Sequence, residues 1–436
     1  MMNLMQKWNV NNKPVRHPAK LNLLEPTYYL LVMKLRTILA LALLGNPLVY
    51  STSFAGTVQT GTYGWTGTYS GTDNGSSLDS NLQGAGTRML WYPGLGVFRA
   101  GLVESTYWDF SSLGDLSFGF GKNTVASGDF SFSMGQSYYL SAYSYTIPNT
   151  ASGMNSFAFG RAAQATGAFS FAMGDIDTQY INSARATGQH AFSFGYGTSA
   201  LSNYSLAFGY RSKTELYPHA VAIGYVAQAF GAYSFSAGYS TTVSSGATGA
   251  IAMGYESVAA KSHSVALGYS NMAGNSYSGV GSIALGFDTM ALADYSFSAG
   301  YRTLADSNNS DDPNADATGP YSSMNAAFGN QTISRGNSCF VVGSFNHPSI
   351  FTASPDDLTR PLFVVGNGTS AATADRSNAF VVKANGDAIL QGTLSMGGPL
   401  NLANGATIEQ NLTVNGTIHC QPGGDVGMGE FGSYNP

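Results

Sequence analysis

The sequence predicts an all-β fold, a β-solenoid whose turns are about 14 residues long. Three observations lead to this prediction. A short unit of alternating small and apolar residues recurs along the middle of the chain and ends each time in glycine. The spacing of these glycines alternates between a fixed and a variable length. The composition agrees, because glycine accounts for 54 of the 436 residues, 13% are aromatic and only 10% are charged.

The low charge also argues against several classes of protein. An ordinary soluble domain has about 25% charged residues, so this chain is unlike a typical cytosolic enzyme. The net charge of −5 argues against a nucleic-acid partner, which would require basic clusters. With only Cys339 and Cys420 present, a disulfide framework is excluded.

Residues 1–55 have the layout of a presequence that ends in a secretory signal peptide. Lys34 and Arg36 lead into a short apolar run, and a small-residue site ends at Ala55. The run is too short to span a bilayer, which takes about 20 residues. We therefore expect cleavage after Ala55 and a secreted, extracellular or cell-surface chain with no visible transmembrane anchor. The sequence leaves two start residues open: Met33, or Met1 followed by a long presequence.

Residues 56–114 are expected to form an N-terminal cap. They contain Trp65, Trp91 and Trp108, and the stretch 84–94 precedes the first turn. The end of a solenoid needs a cover because an open strand edge invites aggregation. We therefore favour a capping role over a binding role.

Residues 115–345 carry the repeat, with copies such as 131–135 and 156–160. Alternation over five residues is the period of a β-strand, and the recurring glycine disfavours a helix. The fixed gaps are 14 residues and the others are longer, so alternate turns accept insertions. We expect two short strands and two corners per turn, with turns stacked about 4.8 Å apart in a rod of roughly 70 Å. The terminal glycines are Gly121, Gly135, Gly160, Gly174, Gly195, Gly209, Gly224, Gly238, Gly254, Gly268, Gly286, Gly300, Gly329, Gly343 and Gly366.

The two faces of each strand differ in size. One face carries Ser, Ala and Gly, and the other carries Phe, Met, Val, Ile or Leu. The bulky face either fills the interior of the roll or seals it against another copy. Because so thin a coil buries little area, we expect identical chains to associate. Fixed turns often carry a second glycine, which we expect to take a positive φ at a corner: Gly128, Gly167, Gly231 and Gly336.

The segment 160–174, with the sequence GRAAQATGAFSFAMG, resembles the head repeat of trimeric autotransporter adhesins, the YadA-like head. The resemblance covers about residues 115–345. It implies a left-handed parallel β-roll, a homotrimer, and adhesion to an unknown receptor on host cells, matrix or surfaces. The chain departs from that family in two respects. It shows no long heptad stalk, and its C-terminal residues do not resemble a membrane-anchoring strand.

Residues 346–420 are expected to form a β-structured neck. The segments 363–366 and 380–383 resemble the repeat unit but lie beyond the regular repeats. Asn-Gly pairs at 385–386, 404–405 and 415–416 favour tight hairpin turns. Residues 421–436 are expected to be a disordered tail.

Motifs of catalysis or of cofactor and metal binding are missing from the sequence, including HExxH, CxxC, the P-loop and GxSxG. His190, His219 and His263 share one position in the turn, but their turns are not adjacent. They would lie roughly 10 Å or more apart, too far to share a zinc ion, and we expect plain corner residues. Four aspartates crowd one insertion without the spacing of a calcium loop: Asp306, Asp311, Asp312 and Asp316.

An aromatic residue follows the repeat glycine in eight successive turns. Two interpretations stay open: stacking that stabilises the roll or a chain–chain contact, or a tyrosine-rich adhesive stripe. The corner position five residues before the glycine is also mostly aromatic. Insertions at 136–155, 175–190 and 301–328 are expected to leave from one side of the rod and offer a second ligand surface. The eight residues are Tyr196, Tyr210, Tyr225, Tyr239, Tyr255, Tyr269, Phe287 and Tyr301.

The sequence thus favours a secreted, trimeric, adhesin-like structural protein without catalytic activity, cofactor or metal. A phage or tailocin tail fibre is the main alternative, and the presequence argues against it. A solenoid polysaccharide-active enzyme is a weaker alternative. Such enzymes need clustered carboxylates, and none recur at one position of this repeat.

Overall fold

The computed structural model describes residues 67–68, 83–92, 94–306, 324–335, 337–350 and 357–395. The presequence with Ala55, Trp65, the later Asn-Gly pairs, most of the insertion 301–328 and the tail lie outside the described residues. Side chains at 67–68 are likewise not described.

Two sheets run the length of the repeat region, and each turn of the chain adds one strand to each sheet. The larger sheet has 20 strands: Gly67–Thr68, Gly86–Tyr92, Val97–Val103, Phe118–Lys122, Phe132–Gln136, Phe157–Arg161, Phe171–Asp175, Phe192–Tyr196, Leu206–Tyr210, Val221–Tyr225, Phe235–Tyr239, Ile251–Tyr255, Val265–Tyr269, Ile283–Phe287, Phe297–Tyr301, Ala326–Asn330, Phe340–Ser344, Pro361–Asn367, Asn378–Lys383 and Ala388–Leu390.

The smaller sheet has 13 strands: Thr124–Ala126, Asn149–Ala151, Gln164–Ala165, Arg185–Ala186, Ser199–Ala200, Lys213–Thr214, Gln228–Ala229, Thr242–Val243, Val258–Ala259, Met272–Ala273, Met290–Ala291, Leu304–Ala305 and Ile333–Ser334. A separate hairpin pairs Tyr138–Leu140 with Tyr145–Ile147. Short 3-10 helices lie at Phe110–Ser112, Ser141–Tyr143, Pro348–Ile350 and Thr373–Asp375.

Strands of the repeat pair in parallel and in register from turn to turn. Gly160 lies opposite Gly174, and Gly174 lies opposite Gly195. The predicted all-β solenoid, with two short strands and two corners per turn, is therefore confirmed.

The interior of the roll is built from small side chains. The second residue of each long strand points inward, as Ala158 and Ala172 do, and both are fully buried. At three of these positions the residue is a serine whose hydroxyl pairs with a threonine of the same turn, as between Ser236 and Thr241 at 2.8 Å. The hydroxyl of Ser133 pairs with Asn149 instead. The bulky residues therefore lie outside the roll, which excludes the alternative that they fill its interior.

The corners are formed differently from the prediction. Gly128, Gly167 and Gly231 do not have a positive φ, and Gly336 lies outside the described residues. A Cβ at Gly128 would overlap the carbonyl oxygen of Gly153 in the next turn, so close approach explains the glycine. The positive φ falls two residues later, on a non-glycine residue such as Phe130, with φ of 57°.

The insertions leave the roll at two corners, not one. The segments 137–148 and 176–183 both follow a long strand and precede a short one. The insertion after Leu304–Ala305 follows a short strand instead. The expectation that all three line one side is therefore wrong, because a variable gap between glycines spans both corners of a turn.

The first turn of the roll is filled by a buried arginine. Arg99 is fully buried and donates from Nη1 to the Ser117 carbonyl at 2.9 Å and from Nη2 to the Ala126 carbonyl at 2.7 Å. Gly119 replaces the usual inward Ala or Ser, since a Cβ there would meet Arg99 Cδ. Trp108 is also fully buried and donates from Nε1 to the Thr124 carbonyl at 2.7 Å.

At the other end, Gly366 lies opposite Gly343, so the segment 363–366 continues the register of the repeat. The next strand, Asn378–Lys383, turns back antiparallel. The hairpin turn predicted at Asn385 and Gly386 is confirmed, because Asn378–Lys383 pairs antiparallel with Ala388–Leu390 across it.

Candidate functional site

The outer face of the larger sheet is apolar and exposed in the single chain. The first and third residues of each long strand point outward, and they form two parallel columns along the rod. Nine of these side chains are exposed over 37–49% of their surface: Phe118, Met134, Phe157, Met173, Phe192, Phe194, Phe208, Met253 and Phe340. Such an extended apolar face is a mark of an interface, because soluble monomers rarely expose large contiguous apolar patches.

The fifth residue of eight successive long strands, from Phe192–Tyr196 to Phe297–Tyr301, forms a third column, which we call the strand-end ladder. It comprises the eight aromatic residues predicted from the sequence. Between Tyr210 and Phe287, neighbouring ring centroids lie 4.6–4.8 Å apart and ring planes agree within 4°. Because the backbone pairs in register, every ring lies directly against the next, as cross-strand stacking requires.

The stacking decides what the ladder can offer to a partner. Each ring covers the faces of its neighbours, so the ring edges and phenolic hydroxyls face solvent. Tyr225, Tyr239 and Tyr269 are exposed over 42–43% of their surface. The ladder is therefore a row of hydroxyl groups on an apolar base.

A second aromatic column, the corner ladder, stands at the corner with positive φ. His219 stacks between Tyr204 and Tyr233, with centroid distances of 5.0 and 4.6 Å. His190 makes edge-to-face contacts with Phe169 and Tyr204, at 4.9 and 5.0 Å. His190 and His219 are thus members of an aromatic column, which the sequence interpretation as plain corner residues missed. The sequence contained the feature that predicts these contacts, because aromatic residues occupy the same corner position in neighbouring turns.

The corner ladder is interrupted further along the rod. In the turns on either side of His263, the same corner position is occupied by Gly249 and Gly281. Each of the two glycines has a φ of 65°, so the backbone conformation of the corner is kept while the ring is lost.

The insertion 176–183 forms a strap over the first rings of the strand-end ladder. Asp177 is fully buried and pairs with Arg211, whose Nη2 donates to its Oδ1 at 2.9 Å. The Arg211 guanidinium stacks on Tyr210 and on Tyr180 of the strap, at 4.9 and 4.4 Å from the ring centroids. Burial of Asp177 raises its pKa, but the hydrogen bond and charge of Arg211, together with hydrogen bonds from the backbone amides of Gln179 and Tyr180, outweigh this effect and hold the pKa below its usual value.

The hairpin insertion 137–148 presents a tyrosine-rich surface at the same corner. Tyr139, Tyr143 and Tyr145 are exposed, and the segment contains no charged residue. The neighbouring Arg161 links the hairpin to the strand Phe171–Asp175, because it pairs with Asp175 and lies over the Tyr138 ring. Tyrosine and serine are also enriched in the binding loops of antibodies.

Chemically reactive groups are few. Within the described ranges, no three His, Cys, Asp or Glu side chains come together as a metal site would require. Burial raises the pKa of the Cys339 thiol to about 12, so it stays neutral at ordinary pH. Burial lowers the pKa of Arg99 to about 9, which leaves it charged at neutral pH. No helix in the described part of the chain has the length and apolar character to cross a membrane.

The repeat region matches a known family. The family model of the YadA head domain repeat (2 copies) matches residues 151–175, 186–212, 218–241, 245–271 and 278–303. These matched segments all lie between residues 151 and 303. A search of curated proteins finds no match to the chain.

The YadA head repeats confirm the resemblance drawn from the sequence over residues 151–303. This family is one of structural adhesins and not of enzymes. The unmatched stretch 176–185 contains the strap, which is thus an addition to the YadA repeat. The same parallel register continues beyond the matched segments, from Phe118–Lys122 to Phe340–Ser344.

Proposed function

We propose that this chain forms the head of a homotrimeric, surface-displayed or secreted adhesin that attaches to cells, matrix or other surfaces. The observation that carries the proposal is the family match, because YadA head repeats belong to adhesins of this type. The signal-peptide layout ending at Ala55 supports export.

The arrangement of side chains supports assembly of three chains. The interior of one roll holds mainly Ala, Ser and Thr, so a single chain buries little apolar area. The two outer columns present Phe, Met, Leu, Ile and Val instead. Packing these columns of three copies around a common axis would remove them from water, and closed symmetry is the usual form of homo-oligomers.

The strand-end ladder and the tyrosine-rich hairpin supply the proposed adhesive surface. Both combine an apolar body with a polar tip, which suits contact with partly apolar partners. Neither presents a strong net charge, so attachment is expected to depend little on salt.

A surface-binding assay tests this function. The exported protein is applied to a panel of immobilised matrix proteins and cultured cells, and bound protein is measured. A triple variant Tyr225→Ser, Tyr239→Ser and Tyr269→Ser is compared with a matched pair at the corner, Tyr233→Ser and Tyr295→Ser. We expect the wild type and the corner variant to bind and the ladder variant to lose most binding.

The assembly state of each variant is measured in parallel. Loss of binding with an unchanged trimer supports the adhesive ladder. Loss of the trimer shows that the ladder stabilises the assembly instead. A wild-type protein that binds no surface of the panel contradicts the proposed function.

A further inference from the structure

We propose that the strand-end ladder is a site of oxidative cross-linking, where neighbouring tyrosines of one chain couple to dityrosine in the presence of hydrogen peroxide and a peroxidase. The product would be a covalent link between successive turns of the roll. The proposal rests on the geometry of the ladder and does not depend on adhesion.

The ladder brings tyrosines together in five consecutive neighbouring pairs. From Tyr196 to Tyr269 the ring centroids of each pair lie 4.7–5.1 Å apart, and the ring planes agree within 6°. The strands on which they sit are fixed in register by the sheet. A radical formed on one ring therefore has its reaction partner already in place, which raises the rate over a random encounter.

Access of an oxidant differs along the ladder. Tyr225, Tyr239, Tyr255 and Tyr269 are each exposed over at least 36% of their surface. At the upstream end, the strap lies over Tyr196, whose Oη accepts a hydrogen bond from the Thr178 amide at 3.3 Å. We therefore expect coupling first among the three pairs between Tyr225 and Tyr269.

The chemistry needs only the peroxide as oxidant. Each phenol gives up one electron and its hydroxyl proton, and the two phenoxyl radicals form a bond between their ortho carbons. The hydrogen on each coupled carbon then moves to the carbonyl oxygen of its ring and restores both phenols. The pair loses two hydrogens in total, and one hydrogen peroxide is reduced to two waters.

The chain contains two internal controls. Tyr301 is separated from Tyr269 by Phe287, which stacks on both and cannot form a phenoxyl radical. In the corner ladder, Tyr204 and Tyr233 are exposed over 50% and 64% of their surface, but His219 stands between them. Exposure alone would favour the corner tyrosines, whereas adjacency favours the strand-end ladder.

The test oxidises the dilute exported protein with a haem peroxidase and hydrogen peroxide. Dityrosine fluorescence is recorded, and tryptic peptides are analysed by mass spectrometry. Tyr255 and Tyr269 lie on either side of Lys261, so their coupling joins two tryptic peptides with the loss of two hydrogens. We expect this joined pair as a main product, with the chain mass on a denaturing gel unchanged.

Two variants sharpen the test. Phe287→Tyr adds one hydroxyl to an exposed ring and should create new cross-links to Tyr269 and Tyr301. His219→Tyr should do the same for Tyr204 and Tyr233 in the corner ladder. Dityrosine confined to links between chains, or formed equally at the wild-type corner tyrosines, would overturn the proposal. So would the absence of new links in both variants, or of any dityrosine in the wild type.

Discussion

The repeat glycines from Gly121 to Gly343 have φ between 106° and 151°, a region that side chains rarely adopt. They also lie directly against one another between turns. A Cβ on Gly238 would overlap the carbonyl oxygen of Gly254. At the scale of single residues, glycine is therefore required both by the backbone conformation and by the closeness of the next turn.

Replacing Gly238 by alanine tests this requirement. We expect Gly238→Ala to lower the free energy of unfolding by about 3 kcal/mol or more, because strain and overlap act together. Gly246→Ala is the matched control, since Gly246 has φ of 79° but nothing within 4 Å of the added Cβ. Its cost should be only about 1–2 kcal/mol, from the strain alone. Denaturant unfolding measures both, and equal costs would contradict this account.

At the scale of elements, the strap 176–183 depends on one buried ion pair. The pKa of Asp177 is held below its usual value, mainly by Arg211 against the opposing effect of burial. A carboxyl with a depressed pKa stabilises the folded form at neutral pH. That contribution is lost as the pH falls through its folded-state pKa. The strap should therefore be closed at pH 7 and open in acid, below the usual range of aspartate.

Asp177→Asn should open the strap at neutral pH. Breaking a buried pair costs about 3–5 kcal/mol, whereas breaking an exposed one costs about 1 kcal/mol or less. Asp175→Asn is the matched control, because its pair with Arg161 is partly exposed. Hydrogen exchange of the peptide covering residues 176–183 should rise strongly in the first variant and little in the second. A similar small rise in both would show that the pair does not hold the strap.

The elements also show how far sequence reasoning reaches. The glycine spacing was enough to predict the strands, the turns and the aligned column of tyrosines from Tyr196 to Tyr269, because each repeats with the turn. The glycine spacing did not show at which corner each insertion leaves the roll, because the chain between two repeat glycines passes through two corners. The pairing of Asp177 with Arg211 was also out of reach, because these residues lie 34 positions apart in a single, unrepeated contact.

At the scale of the whole molecule, the distribution of side chains is the reverse of that in an ordinary protein, where large apolar residues fill the interior. Ala, Ser and Thr fill the inside, while Phe and Met side chains line the outer face of the larger sheet. The sequence alone left open which face was inside, because both alternate with the same period. The structure shows the bulky face uncovered in one chain, and the proposed homotrimer is the arrangement that covers it.

The mass of the exported protein in solution, measured by light scattering on a sizing column, tests the central claim most directly. We expect a mass of three chains, because the exposed apolar columns need partner copies to remove them from water. A stable monomer at all concentrations would contradict the claim. It would mean that the outer columns of the larger sheet remain in contact with solvent and serve another purpose.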